Sequence, residues 1–137
     1  MVMYAPSGDH QKTRPSRKQI IEDIHKWTTK QKDYLTPTDK ILVMGDYNAD
    51  LESKQPKAQQ FNTVLGTSEL KPLNSWIHGH TYYSGTQHTI IDYIAGNHIA
   101  KNTLINIQVK NFPEMQTDHN ALGARRSLIS PFLTFRV

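Results

Sequence analysis

Residues 41–50 read ILVMGDYNAD. Four apolar residues run into a glycine, and Asp46, Tyr47 and Asn48 follow. A short apolar run without alternation reads as a strand covered on both faces, and hence central in a sheet. The Gly-Asp at its end is an ordinary way for such a strand to leave the sheet. In extended backbone, side chains at i and i+2 share a face, so Asp46 and Asn48 are expected to reach into one space. One is an acceptor and the other both donor and acceptor. This is either a polar turn or half of a reaction site.

Working outward, Met1 to Ala5 reads as a short apolar strand, stopped by Pro6 and the turn formers Ser7, Gly8 and Asp9. Lys12, Arg14, Arg17 and Lys18 form a basic stretch that reads as a solvated loop, with a phosphate-binding patch as the alternative. A helix then begins. Ser16 and Gln19 have capping-box spacing, and Ile20, Ile24 and Trp27 recur at helical period up to about Lys32. Trp27 is assigned to the core. A second, short helix is expected from Lys57 to Leu65, ended by Gly66. The texture then changes to strands: Thr81 to Tyr83, Thr89 to Ala95, Thr103 to Lys110, and one starting near Ala121. Alternating βα units followed by a run of strands predict an α/β (α+β) domain with one main helix and a mixed sheet. No repeat, low-complexity tract or dividing linker interrupts it.

Bulk properties bound the function. A length of 137 residues fits one small domain. The hydrophobic fraction is 36%, and counting glycine in place of tyrosine barely alters it. That is below the roughly 45–50% of ordinary globular domains, so the core should be thin and the domain incomplete or dependent on another chain. A net charge of +4 suits an anionic partner without requiring one. With no cysteine, disulfides, thiolate zinc sites and cysteine nucleophiles are excluded. No apolar run approaches the roughly 20 residues that span a bilayer. The N-terminus lacks the pattern of a secretory signal, which points to an intracellular protein of otherwise unassigned compartment.

Polar groups sit at three predicted strand ends. Beside Gly45-Asp46-Tyr47-Asn48 stand Ile91-Asp92-Tyr93-Ile94 and Thr117-Asp118-His119. An acid inside an apolar strand is costly to bury without a partner, and His119 is the natural one for Asp92. Such a pair leaves the second ring nitrogen facing an open site and frees Asp118 to bind a hard cation through oxygen. Singly, each motif also reads as a turn, a chance dipeptide or a loop cap. Their order and their common setting argue against coincidence.

YAPSG (4–8), GDYNAD (45–50), IDYI (91–94) and TDHNAL (117–122) together resemble the successive motifs of the endonuclease/exonuclease/phosphatase superfamily. This is the Mg²⁺-dependent family of DNase I, the apurinic endonucleases and the endonucleases of LINE-type retrotransposons. The likeness spans nearly the whole chain and corresponds to the C-terminal part of the family's domain, which is a four-layer α/β sandwich. It implies that Tyr4 contacts the scissile phosphate, and that Asp46 and Asn48 position the attacking water and the phosphate, with Asp46 as general base. It further implies that Asp118 is a metal ligand, and that Asp92 and His119 form the acid–imidazole pair acting on the phosphate. The implied cofactor is Mg²⁺, with Mn²⁺ as an alternative ion, and the implied partner is DNA.

The chain departs from the pattern in places. Ser7 stands where relatives have asparagine, and Ile90 where arginine is common. The family's N-terminal strands, with a metal-binding glutamate, have no counterpart: Glu22, Glu52, Glu69 and Glu114 lack the setting. The reading is therefore a partial domain over 1–137, with impaired activity, drawn from a longer protein or a retrotransposon polyprotein. A phosphatase of small phosphoesters such as inositol phosphates, or a non-catalytic remnant, are the alternatives. His78, His80 and His88 raise a separate possibility of Zn²⁺, against a plain polar loop. Tyr82 and Tyr83 are assigned to strand packing, with one of them able to face a substrate groove.

Overall fold

The computed structural model describes residues 1–5, 15–75, 79–111 and 117–126. Pro6, the Ser7 to Asp9 turn, Lys12, Arg14, His78 and Glu114 lie outside the described residues. Among the described residues, eight strands and three helices follow one another as β1 (Val2–Tyr4), α1 (Arg17–Lys32), β2 (Leu42–Asp46), α2 (Pro56–Thr67), β3 (Lys71–Pro72), β4 (Tyr82–Ser84), β5 (Gln87–Thr89), β6 (Asp92–Gly96), α3 (His98–Thr103), β7 (Leu104–Lys110) and β8 (Ala121–Arg126). The main sheet has the order β1-β2-β6-β3 and is mixed, with β1 parallel to β2 and the other pairs antiparallel. Two hairpins, β4–β5 and β7–β8, stand beside it.

The central apolar run takes the central place expected of it, with β1 on one side of β2 and β6 on the other. Gly45 does not end this strand; it lets β1 approach. At φ +141° a Cβ here would lie 1.9 Å from the Met3 carbonyl oxygen, so only glycine fits. Past Asp46 the chain turns at once. Asn48 adopts φ +46°, which corrects the expectation of extended backbone through Asp46 and Asn48.

Both longer helices cover one face of the sheet. Ser16 caps α1 by accepting from the Gln19 N–H at 3.2 Å, but the Gln19 side chain bonds Asp23 and leaves the capping box half made. Arg17 and Lys18 belong to this helix and not to a loop, and Arg17 Nε donates to Gln60 of α2 at 3.0 Å. Ile20, Ile24 and Thr28 are buried and Trp27 packs against the same core. The Thr28 hydroxyl meets both the Ile24 carbonyl and Ser68 Oγ, joining α1 to the end of α2. The expected short second helix is α2, which at 12 residues extends beyond Lys57 to Leu65 at both ends. It runs past Gly66, and the left-handed position that closes it is filled by Glu69 at φ +60°. Glu69 N–H bonds the Gly66 carbonyl and Leu70 N–H the Leu65 carbonyl, the Schellman pattern with glutamate where glycine is usual.

The ring of Tyr47 locks the turn after β2 into the core, edge-on to Phe61 at 5.1 Å and to Tyr93 at 5.6 Å. The Tyr93 hydroxyl in turn accepts from Leu51 N–H at 3.0 Å. The strand expected over Thr89 to Ala95 is two strands in different sheets. It breaks at Ile90–Ile91, because the Ile91 and Asp92 N–H groups are taken by the Thr81 hydroxyl at 3.0 and 3.1 Å. Neither β3 nor α3 was foreseen. The latter is capped by Asn97, whose side chain accepts from the Ala100 N–H.

Candidate active site

The sheet register assembles the site. Tyr4 on β1 pairs with Asp46 on β2, and Asp46 pairs with Asp92 on β6, so three residues named by the sequence share one row across three strands. Asp46 is buried, and its Oδ1 accepts from the Asn48 N–H at 2.8 Å, which leaves Oδ2 toward the site. The left-handed turn swings the Asn48 side chain back, where its Nδ2 donates to the Ala5 carbonyl. Asn48 thereby ties the end of β1 to the end of β2. Tyr4 is half exposed at the rim.

His119 arrives from far along the chain. Residues 117–120 lie along β4 like a short added strand: Tyr83 N–H bonds the Asp118 carbonyl, Asn120 N–H bonds the Thr81 carbonyl, and Tyr82 and His119 form a bridge pair. The Tyr82 ring packs on the imidazole with centroids 5.1 Å apart. This holds His119 Nδ1 2.9 Å from Asp92 Oδ2, while Nε2 lies 3.8 Å from both Asp46 Oδ2 and Asp118 Oδ1. An N–H on Nδ1 donated to Asp92 fixes the ring tautomer and orientation.

The electrostatics follow from burial and this ring of carboxylates. Burial pulls the His119 pKa down, but the Asp92 hydrogen bond and the charges of Asp92, Asp46 and Asp118 outweigh it, and the net shift is upward. Asp46 is also raised. Desolvation pushes it up and the nearby Asp92 charge adds to that, against the opposing Asn48 hydrogen bond.

Donor atoms of Asp46, Asp92 and His119 all lie within 4.8 Å of one another, close enough to hold a metal ion together. Asp118 stands on the outer side of this group, its side chain 60% exposed. Three carboxylates, one imidazole and no thiolate suit a hard or borderline cation. His80 and His88 meet edge to face at 5.6 Å beside Tyr83, an aromatic cluster on the β4–β5 hairpin, and their partner in the Zn²⁺ reading, His78, lies outside the described residues.

Two buried polar residues of the site went unnoticed in the sequence. Thr81, fully buried, holds the Asp92 N–H through its hydroxyl and the Asn120 N–H through its carbonyl. Asn74, also fully buried, bonds the Asp92 carbonyl. A threonine before a strand and an asparagine two residues past a proline carry no local signal for such roles. Both act on residues at least ten positions away.

No family model matches the chain, and no curated protein does. Solved structures do. A 3′ phosphatase from Neisseria bound to a product DNA hairpin aligns with a TM-score of 0.62 at 18% identity, over 92% of this chain and 60% of that one. The chain has the DNase I-like fold. An AP endonuclease from Archaeoglobus fulgidus shares it with a TM-score of 0.62 at 11% identity, over 92% of this chain and 60% of its own. The Xenopus laevis APE2 catalytic domain does so at 0.57 and 18%, over 91% and 50%. The chain thus spans about 60% or less of the length of these DNase I-like structures. A beta toxin from Staphylococcus aureus aligns as well, with a TM-score of 0.55. The DNase I-like fold alone therefore does not choose a substrate, and the choice rests on the site. Among the described residues, no helix is long and apolar enough to cross a membrane.

Proposed function

We propose that this chain is the C-terminal part of a metal-assisted phosphodiesterase acting on DNA. The observation that carries the reading is the single row Asp46–Asp92 with His119 held over it, Nδ1 on Asp92 and Nε2 toward Asp46 and Asp118. Phosphodiester hydrolysis needs an oriented water, a proton shuttle and neutralisation of the phosphoryl charge. Asp46, its pKa raised, is a stronger base than an ordinary carboxylate and takes the proton of the attacking water through Oδ2. His119, its pKa also raised, retains its proton nearer neutrality and donates from Nε2 to a phosphate oxygen. Asp92 keeps the imidazole aimed throughout. Tyr4, the β1 member of the row, and Asn48 beside it complete the phosphate contact surface. Asp118, exposed and acceptor-only when ionised, is the residue that would hold Mg²⁺, with Mn²⁺ as substitute. A bound cation supplies charge neutralisation at the phosphoryl oxygens.

Support for DNA as substrate comes from the matched structures, one of which holds a DNA hairpin. Support for a partial domain comes from the share of those structures that the chain spans. A longer protein, of which a retrotransposon polyprotein is the kind suggested by the motifs, would supply the rest. The test is nicking of supercoiled plasmid at millimolar Mg²⁺, comparing this chain with a version extended by a family-type N-terminal half. The extended version is expected to nick, the chain alone to be at least a hundredfold slower, and Asp46→Ala to abolish the activity. Nicking untouched by Asp46→Ala would overturn the assignment. Equal rates for the two lengths would overturn the need for the added half.

A further inference from the structure

Asn74 lies just beyond β3, fully buried against the free edge of β6. The ladder between those strands is short. Lys71 pairs with Gly96 and Pro72 with Ala95, and Leu73 N–H adds one bond to the Ile94 carbonyl at 2.7 Å. Beyond that point the Asn74 side chain continues the ladder. Its Nδ2 donates to the Asp92 carbonyl at 3.0 Å, and its Oδ1 accepts from the Ile94 N–H at 2.8 Å. The amide spans Tyr93 as the N–H and C=O of a single residue on a neighbouring parallel strand would. Only a side-chain amide carries a donor and an acceptor on one planar fork, and glutamine is a methylene longer. At the same residue, the Asp92 N–H is held by the Thr81 hydroxyl. Both backbone polar groups of Asp92 thus end on fully buried side chains.

We propose that Asn74 is a positioning residue for the Asp92–His119 pair: its amide fixes the backbone of Asp92, and through it the carboxylate that orients the imidazole. The link is geometric. Asp92 Oδ2 meets His119 Nδ1 at 2.9 Å, and a drift of about 1 Å would take the pair out of hydrogen-bond range. Beyond β3 the Thr81 hydroxyl shares this task, holding the Asp92 N–H while Asn74 holds the carbonyl. The catalytic consequence rests on the reading of His119 as the proton-transferring group, whereas the effect on the hydrogen bond does not.

The test uses two readouts. The first is the NMR signal of the His119 Nδ1 proton in this chain, expected downfield and protected from solvent exchange by Asp92. Asn74→Leu should abolish that signal while the protein still melts cooperatively. Leu65→Ala, an equally buried truncation between α2 and the sheet, should lower the melting temperature and leave the signal in place. Should Asn74→Leu fail to fold, the smaller Asn74→Ala removes both bonds without adding volume, and should show the same loss. The second readout is kinetic. In the extended enzyme, Asn74→Leu should lower kcat at least tenfold with KM within twofold. A folded variant that keeps the Nδ1 signal, a wild-type protein that lacks it, or a Leu65→Ala protein that loses it equally, would each overturn the inference. Loss of the signal in a protein whose extended form never nicks DNA would uphold the positioning role and refute the proposed function.

Discussion

Asp46 and Asp92 stand directly opposite each other across the β2–β6 ladder, two carboxylates on one rung. Like charges so placed are destabilising, and a sheet tolerates them only where a counter-charge intervenes. His119 is that counter-charge, with Nδ1 on one carboxylate and Nε2 toward the other.

A pH dependence of stability follows. The His119 pKa is raised above its ordinary 6.5, so the folded state binds this proton more tightly than the unfolded chain. Its contribution is fully present below about pH 6.5 and is lost as pH rises through the folded-state value. Asp46 acts in the same direction at lower pH, its contribution fading as pH rises above its ordinary 3.8. Urea unfolding should show a falling midpoint from pH 6 upward, and His119→Gln should remove that slope. A slope that survives the substitution would assign it to other groups.

Asp92→Asn is expected to separate orientation from binding. The amide can hold the ring in the wrong tautomer, so kcat of an active, extended protein should fall roughly 10²–10⁴-fold with KM little changed. Unchanged turnover would show that Asp92 does not serve His119.

Gly45→Ala should be among the most damaging single changes. The added methyl meets the Met3 carbonyl at 1.9 Å on a backbone at φ +141°, a combined clash and strain of roughly 3 kcal/mol or more. Chemical denaturation reads this directly. A loss under 1 kcal/mol would mean that β1 can move away from β2 at little cost.

Glu69→Gly should do the opposite. Relief of the left-handed strain at φ +60° is worth about 0.5–1 kcal/mol. The exposed Lys32–Glu69 pair lost with it, at 3.2 Å, is worth only a few tenths. Thermal melting should rise by roughly 2 °C, and a fall would show that the ion pair dominates.

The long-range parts of the fold were the less legible. The apolar run before Gly45 announced a central strand, and Ile20, Ile24 and Trp27 announced the helix over it. The break between β5 and β6 was hidden, because its cause is the Thr81 hydroxyl reaching Ile91 and Asp92 from ten residues away. The end of α2 was misplaced for a different reason. Gly66 was the residue that favours a left-handed cap, but Glu69 holds that conformation. In the site, the three acids and the histidine that the structure brings together stand in the ordered motifs, whereas Asn74 and Thr81 do not. A residue that works through the backbone of another leaves no trace in its own neighbourhood.

The histidine at the centre of the site is carried by residues 117–120, clipped to β4 by two backbone bonds and the Asn120 amide on the His80 carbonyl. The strand that receives it is three residues long, in a two-stranded hairpin outside the main sheet. Such a join opens at a much smaller free-energy cost than the helix-covered sheet unfolds. Gentle heating should unclip His119 while β1, β2 and β6 stay in register and Asp46 still faces Asp92. The protein is therefore built to part His119 from Asp92 before it loses its shape, through one small latch.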